Sequence, residues 1–130
     1  MPDPLPARIL LVDDDPAFIK AMCDTLRREG YDLTAAQGGE AGLDVFHAAL
    51  NSGQPFSVVI TDLGMSPMDG RTVTLAVKQA APATPVIMLT GWGQWFENPD
   101  GVTLPVDGVL GKPPKLSELR ELLARFLPKG

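Results

Sequence analysis

The sequence contains a single cysteine and no long hydrophobic run, and each absence excludes a class of protein. Cys23 has no second cysteine with which to form an internal disulfide, which favours a reducing compartment. No apolar stretch approaches the roughly 18 residues that a membrane-spanning helix requires. The N-terminal residues MPDPLPA lack the basic and apolar regions of a signal peptide. We therefore expect a cytoplasmic protein that does not enter a membrane.

Basic residues are also scarce. The chain has 11 lysines and arginines against 16 aspartates and glutamates, which gives a net charge of -5. Because no basic stripe is visible, the sequence argues against a nucleic-acid-binding surface. Hydrophobic residues make up 45% of the 130 positions, which is typical of a globular protein of this size. We expect one domain over residues 1–130, with a core from about residue 8 to about residue 127.

Strand-like and helix-like segments alternate along the chain, which predicts an α/β fold with a parallel sheet and helices on both faces. The predicted strands are RILLV (8–12), DLTAA (32–36), SVVIT (57–61), PVIMLT (85–90) and VDGVLG (106–111). The predicted helices cover residues 16–30, 38–53, 70–81 and 116–127. A further helix is expected between the fourth and fifth strands, but the segment ENPDG (97–101) would break it. We expect that fourth helix to be short or irregular.

Reactive side chains follow four of the five predicted strands. Asp13–Asp15 follow the first strand, Asp62 the third, Thr90 ends the fourth, and Lys112 follows the fifth. Ligands of an open parallel sheet bind beyond the carboxyl ends of its strands, so these groups should share one rim. Clustered carboxylates repel one another unless a cation lies among them, and an all-oxygen site suits Mg²⁺. A carboxylate beside Mg²⁺, a lysine and a hydroxyl together favour formation of an aspartyl phosphate.

Each of these residues also has a structural interpretation. Asp13–Asp15 precede a helix and are suited to capping it, which is the commoner role of aspartate there. Asp62 is suited to starting a turn and Thr90 to ending a strand, while Lys112 is suited to a solvated surface. All of these interpretations would have to hold together to explain why the reactive groups collect at the same strand ends.

The sequence resembles a response-regulator receiver domain of two-component and phosphorelay signalling over nearly its whole length. The resemblance implies a flavodoxin-like fold with a five-stranded sheet in the order 2-1-3-4-5. It also implies that Asp62 accepts a phosphoryl group from a histidine kinase or a histidine phosphotransfer protein. The motifs that carry it are ILLVDDDP (9–16), VVITDLGMSPMDG (58–70), PVIMLTGWG (85–93) and GVLGKP (108–113).

The same resemblance implies roles for the residues around the phosphoacceptor. Asp13 and Asp14 would hold Mg²⁺ together with the phosphoacceptor and the backbone carbonyl of Gly64. Thr90 would bind and report the phosphoryl group, Lys112 would contact it, and the Lys112–Pro113 bond would be cis. The output would be an interaction with an unknown protein target, without nucleic acid or membrane, from a monomer or weak dimer. The domain would not be an enzyme beyond its own phosphorylation and dephosphorylation.

Four positions depart from the pattern of the family. Ser66 separates the expected Met-Pro pair of the loop after the phosphoacceptor, and Val109 replaces the usual aromatic switch residue. Pro114 stands where a large apolar residue usually follows Lys-Pro, and the fourth helix is interrupted. Since the acidic rim is intact, we expect the phosphoryl chemistry to be retained and the signalling readout to differ.

Two further interpretations stay open at the level of sequence. Trp92, Trp95 and Phe96 form either a partner-binding patch or a set of side chains packed on the sheet. The chain could instead be a receiver-shaped module that binds partners without phosphorylation, or a phosphatase with an aspartyl nucleophile. A phosphatase of that kind needs a second acid two residues after the nucleophile, and Gly64 has no proton to give.

Overall fold

The computed structural model describes residues 7–91 and 105–127. Across these two ranges the chain forms a five-stranded parallel sheet with four helices packed on it. The strands are β1 (Arg8–Asp13), β2 (Asp32–Gln37), β3 (Val58–Asp62), β4 (Val86–Thr90) and β5 (Gly108–Gly111). The helices are α1 (Pro16–Arg28), α2 (Gly39–Asn51), α3 (Gly70–Ala80) and α4 (Leu116–Phe126). The order β2-β1-β3-β4-β5 confirms the predicted flavodoxin-like sheet.

Every predicted strand and helix in the described ranges is found, with boundaries within two residues of the prediction. Asp62 is the last residue of β3 instead of the residue after it, because β3 still pairs with β4 at this position, where Asp62 lies opposite Leu89. The predicted irregular helix between β4 and β5 lies outside the described residues. Within residues 7–91 and 105–127, the helices are too short and insufficiently apolar to cross a membrane.

Two hydrophobic clusters cover the two faces of the sheet. Successive side chains of a strand point to opposite faces, so Val58 and Ile60 of β3 enter one cluster while Val59 enters the other. We call them the α1–α4 face and the α2–α3 face, after the helices that cover them. The α1–α4 face buries Leu26, Leu119 and Leu123, and the α2–α3 face buries Phe46, Val73 and Val77. The helices therefore lie on both faces, as predicted.

The start of each of two helices is capped by an aspartate. The side chain of Asp15 accepts a hydrogen bond from the backbone N–H of Ala17 at 3.0 Å, ahead of Pro16 at the first helical position. Asp69 caps α3 in the same way. The capping interpretation of the acidic run is therefore correct for Asp15, and it leaves the two preceding aspartates without that role.

The start of α3 lies against the end of β3 because residue 70 is glycine. A Cβ atom placed on Gly70 would stand 2.4 Å from the backbone oxygen of Asp62 and 2.9 Å from the Cα of Leu63. Since both contacts are with backbone atoms, a side chain at this position would have to displace the loop that carries Asp62. The absence of a side chain at Gly70 therefore sets the position of the β3–α3 loop.

Asp107 fixes the start of the edge strand β5. Its Oδ2 accepts a hydrogen bond from the backbone N–H of Val86 at 2.8 Å and forms an ion pair with Nζ of Lys78 at 2.8 Å. We expect Asp107→Ala to lower the free energy of unfolding by about 2 kcal/mol, since it leaves the Val86 N–H without this acceptor and removes the ion pair of Lys78, whose Nζ still donates to the Thr84 carbonyl at 2.8 Å. Urea denaturation checks this value. As a control, Asp32→Ala removes an exposed aspartate from the start of the other edge strand, and an equal loss there would contradict the specific role of Asp107.

Candidate functional site

Three carboxylates meet at the carboxyl ends of β1 and β3. These strands are neighbours, and the pairing of Val12 with Thr61 places the next residues, Asp13 and Asp62, side by side. Asp14 joins them, and one carboxylate oxygen from each of the three residues lies within 4.8 Å of the others. Asp13 is fully buried, Asp62 is 4% exposed, and Asp14 is exposed to solvent. The structure therefore brings together the three acidic residues that the sequence predicts as a metal site.

The ammonium group of Lys112 bridges two of these carboxylates. Its Nζ lies 2.9 Å from Oδ2 and 3.2 Å from Oδ1 of Asp13, and 3.3 Å from Oδ2 of Asp62. The lysine directly follows β5, and its side chain is 21% exposed. The solvated-surface interpretation of this lysine is therefore wrong, since its charge is directed at the acidic cluster.

The cluster has the donors and the charge that a divalent cation requires. Three carboxylates and one ammonium leave an excess of two negative charges when all are ionised. Oδ1 of Asp13 accepts a hydrogen bond from the backbone N–H of Asp15 at 2.9 Å. The buried Oδ2 has Lys112 as its ion-pair partner but accepts no well-aligned hydrogen bond from a described residue. An all-oxygen set that includes a buried carboxylate oxygen without a well-aligned hydrogen bond fits a hard cation such as Mg²⁺.

The surroundings of the cluster shift the pKa values of two of its members. Burial, followed by repulsion from Asp13, raises the pKa of Asp62 above 3.8 against the opposing effects of Lys112 and a backbone hydrogen bond from Gly64. Burial tends to lower the pKa of Lys112, but its contacts with Asp13 and Asp62 outweigh that effect and raise it. Without a further cation, Asp62 is thus harder to ionise in the folded protein than in the unfolded chain.

This raised pKa predicts a pH-dependent stability in metal-free buffer. Between pH 3.8 and the higher pKa of the folded state, the folded protein retains a proton on Asp62 that the unfolded chain has lost. The stabilisation that is present below pH 3.8 is therefore lost as the pH rises through this interval. We expect the free energy of unfolding of Asp62→Asn to exceed that of the wild type increasingly over this interval. Urea denaturation with a chelator at stepped pH values measures the difference. A difference that does not change with pH would contradict the prediction.

Thr90 and Lys112 line one open cavity beside the cluster. Thr90 ends β4 and pairs with Gly111 of β5, and the backbone N–H of Lys112 donates to the Thr90 carbonyl at 2.9 Å. The cavity has a volume of about 320 Å³ and is also lined by Gly91 and Pro113. Thr90 and Lys112 therefore border the same space.

The structure shows where three of the four departures from the family pattern lie. Val109 is half-buried and packs against Leu63 and Met88, so no ring occupies that position. Met65 is buried, and the following Ser66–Pro67 bond is cis. Pro114 lies in the loop after β5, where it lines an apolar cavity next to α1.

The Lys112–Pro113 bond is cis, as predicted. The aromatic residues Trp92, Trp95 and Phe96 lie outside the described residues.

Sequence reasoning missed one neighbour of the cluster. The Nζ of Lys112 lies 4.6 Å from the centre of the Phe18 ring, at the distance of a cation–π contact. The spacing of apolar residues in α1 assigned Phe18 to the core, and it does pack against the α1–α4 face. A contact between residues so far apart in the chain leaves no local signal in the sequence.

The family model of the response regulator receiver domain matches residues 9–124. The chain belongs to the response regulator receiver domain family. Receiver domains of this family are signalling modules and not enzymes that turn over an external substrate. Over 104 residues, this receiver domain is 38% identical to the transcriptional regulatory protein GlrR of Escherichia coli K12. That match covers 80% of this chain and 22% of GlrR, so most of GlrR has no counterpart in this chain.

Solved structures of receiver proteins share the fold of this receiver domain. The response regulator TrrA of Thermotoga maritima, crystallised with Mg²⁺-BeF, matches with a TM-score of 0.80 and 26% identity over 93% of this chain and 99% of that chain. TrrA in complex with the histidine kinase ThkA matches with a TM-score of 0.78 and 25% identity over 94% of this chain and 99% of that one. This similarity confirms the flavodoxin-like arrangement of the receiver domain.

Proposed function

We propose that this receiver domain accepts a phosphoryl group on Asp62 from a phosphohistidine donor in a Mg²⁺-dependent reaction. The observation that carries the proposal is the convergence of three carboxylates within 4.8 Å, with the Lys112 ammonium no more than 3.3 Å from two of them. A capping or turn role does not need these groups to meet. A phosphoryl-transfer site needs both the negative ligands and the positive charge at one point.

The residues that would hold Mg²⁺ are Asp13, Asp14, Asp62 and the backbone carbonyl of Gly64. Asp13 is the best-placed ligand, because it is fully buried and its Oδ2 accepts no well-aligned hydrogen bond from a described residue. When bound, the ion would neutralise the excess negative charge of the cluster and of the arriving phosphoryl oxygens. That neutralisation would also favour the ionised, nucleophilic form of Asp62.

In the transfer itself, a carboxylate oxygen of Asp62 attacks phosphorus. A P–O bond forms as the P–N bond to the donor histidine breaks, and the imidazole leaves with the electron pair and takes up a proton. Lys112 offsets the charge on the phosphoryl oxygens, and the hydroxyl of Thr90, a residue that lines the cavity with Lys112, donates to one of them. Later attack of water on phosphorus would return the free carboxylate. These two steps on its own side chain are the only chemistry that we propose for the domain.

The proposed donor is a histidine kinase or a histidine phosphotransfer protein, and the proposed output is binding to a downstream protein. The structure of TrrA with the kinase ThkA supports a kinase as the donor, since this chain shares the fold of TrrA. Val109 has no ring to move when Thr90 engages a phosphoryl group, so the output would depend on other groups. We propose a cytoplasmic location and a monomer or weak dimer.

Intact mass spectrometry after incubation with Mg²⁺ and acetyl phosphate or amido phosphate tests this proposal. A single phosphoryl adduct that forms only with Mg²⁺ and is absent with a chelator supports a receiver that takes phosphate. A chain that gains no adduct would instead be a partner-binding module. Continuous release of phosphate from phosphate esters would identify an aspartyl-nucleophile phosphatase, which the lack of a side chain at Gly64 argues against.

A further inference from the structure

We infer that Phe18 is a positioning residue for phosphoryl transfer, because the face of its ring holds the Lys112 ammonium group between Asp13 and Asp62. The inference rests on the proposed function and adds a residue to its machinery. Phe18 does not touch the reacting atoms in this account. It acts through Lys112, whose position determines where the positive charge of the site lies.

The ammonium group is confined from two sides. Carboxylate oxygens of Asp13 and Asp62 lie 2.9–3.3 Å from Nζ, and the centre of the Phe18 ring lies 4.6 Å from it. A lysine side chain is long and flexible, and its carboxylate partners alone do not fix a point charge in direction. The negative face of an aromatic ring attracts the ammonium group and restricts the remaining freedom. The ring therefore supplies the contact that the two carboxylates leave open.

The ring itself is held in place by the first turn of α1. Asp15 caps this helix, and the backbone N–H of Ile19 bonds to the Asp15 carbonyl at 3.0 Å, so the turn that carries Phe18 is well defined. Phe18 is half-buried against the α1–α4 face and forms part of an apolar cavity of about 310 Å³. Pro113, the residue after Lys112, lines the same cavity. The ring and the residue that follows Lys112 thus border the same apolar space.

Phe18 is also close in sequence to two of the acidic residues, Asp13 and Asp14. It lies in the same strand–turn–helix segment as Asp13, only five positions later, whereas Lys112 arrives from the far end of the sheet. By strand alternation Asp13 and Asp62 point to the α1–α4 face, where Phe18 packs. One segment therefore provides both the carboxylate and the ring that receive the lysine.

A ring at this position could instead serve only packing or contact with a protein donor. A small donor separates these roles, because acetyl phosphate reaches the site without docking on α1. The full chain would be compared as wild type, Phe18→Leu, which keeps apolar bulk but removes the π face, and Phe18→Tyr, which keeps the π face. Phe126→Leu is the matched control, since Phe126 is also a half-buried phenylalanine packed on the α1–α4 face.

With acetyl phosphate and Mg²⁺, we expect Phe18→Leu to form the adduct about fivefold more slowly than the wild type. The rates of Phe18→Tyr and Phe126→Leu should stay within about twofold of it. An independent readout is the NMR shift of the Lys112 ε-methylene protons, which the ring current should move upfield in the wild type and Phe18→Tyr only.

Three results would overturn the inference: an unchanged rate in Phe18→Leu, an equal loss in Phe18→Leu and Phe18→Tyr, or an ε-methylene shift that does not depend on the ring. Failure of the proposed function gives a different result, because the wild-type chain itself would then gain no adduct. In that case the ε-methylene shift still decides whether Phe18 holds the ammonium group.

Discussion

Asp62→Asn is expected to abolish the phosphoryl adduct formed with Mg²⁺ and acetyl phosphate. Asp13 is not expected to replace Asp62 as the phosphoryl acceptor, because it is fully buried and its Oδ2 pairs with Lys112 at 2.9 Å. Asp14 is exposed, but it lies on the loop beyond β1, whereas Asp62 ends β3, pairs with Leu89 next to Thr90, and lies 3.3 Å from Nζ of Lys112. The amide of asparagine keeps the size of the carboxylate and removes its nucleophilic charge, so the loss should be complete within detection.

Asp44→Asn is the control for this result, since Asp44 is an exposed residue of α2 and the same charge is removed there. It should form the adduct at the wild-type rate. Peptide mapping of the wild-type adduct should place the phosphoryl group on the segment that contains Asp62. An adduct of normal yield on Asp62→Asn would show that another residue is the acceptor, and the proposed chemistry would fail.

Lys112→Met is expected to slow adduct formation by about 100-fold without abolishing it, as the loss of one preorganised charge at a transferring group typically does. Methionine retains most of the apolar stem of lysine and loses the ammonium group. Without that charge, the two carboxylates within 3.3 Å of it face each other uncompensated, and the arriving phosphoryl oxygens meet an unbalanced negative site. The acceptor is still present, so slow reaction remains.

The rate of adduct formation measures this effect, with Lys20→Met as the control because Lys20 is an exposed lysine of α1. Thermal unfolding of both variants should show that the domain is folded under the conditions of the assay. A Lys112→Met rate within about threefold of the wild type would mean that the ammonium group does not stabilise the transfer.

The strands and helices could be predicted from sequence because their signals are local, whereas the order of the strands was implied by the resemblance to receiver domains. Central strands that are buried on both faces appear as continuous apolar runs, as in RILLV and SVVIT, and helix starts are marked by residues such as Asp15 and Pro16. The capping pattern also explains why Asp15 belongs to a helix start, although the sequence alone did not separate it from its two neighbours. Boundaries differ from the prediction by one or two residues, as at Asp62, where pairing with β4 continues past the predicted end of the strand.

The members of the site could be predicted because parallel strands end at one edge, so chain order determines which residues meet there. Their contacts could not. The bridging of Asp13 and Asp62 by Lys112 depends on how β5 pairs with β4, and the ring of Phe18 is added by the packing of α1. Likewise, nothing local indicates that Asp107 holds the start of β5 through Val86 and Lys78.

The Lys112 bridge also bears on how the domain folds. Its two carboxylate partners are 99 and 50 positions away in the sequence, so the bridge closes some of the longest loops in the chain. Contacts of this span form late, after local turns and helices have ordered. A chain that is still emerging from the ribosome, or one that has lost β5 to proteolysis, would therefore carry the acidic residues without their counter-charge. The full rate of phosphoryl transfer would be reached only when β5 docks, which makes that rate a marker of completed folding.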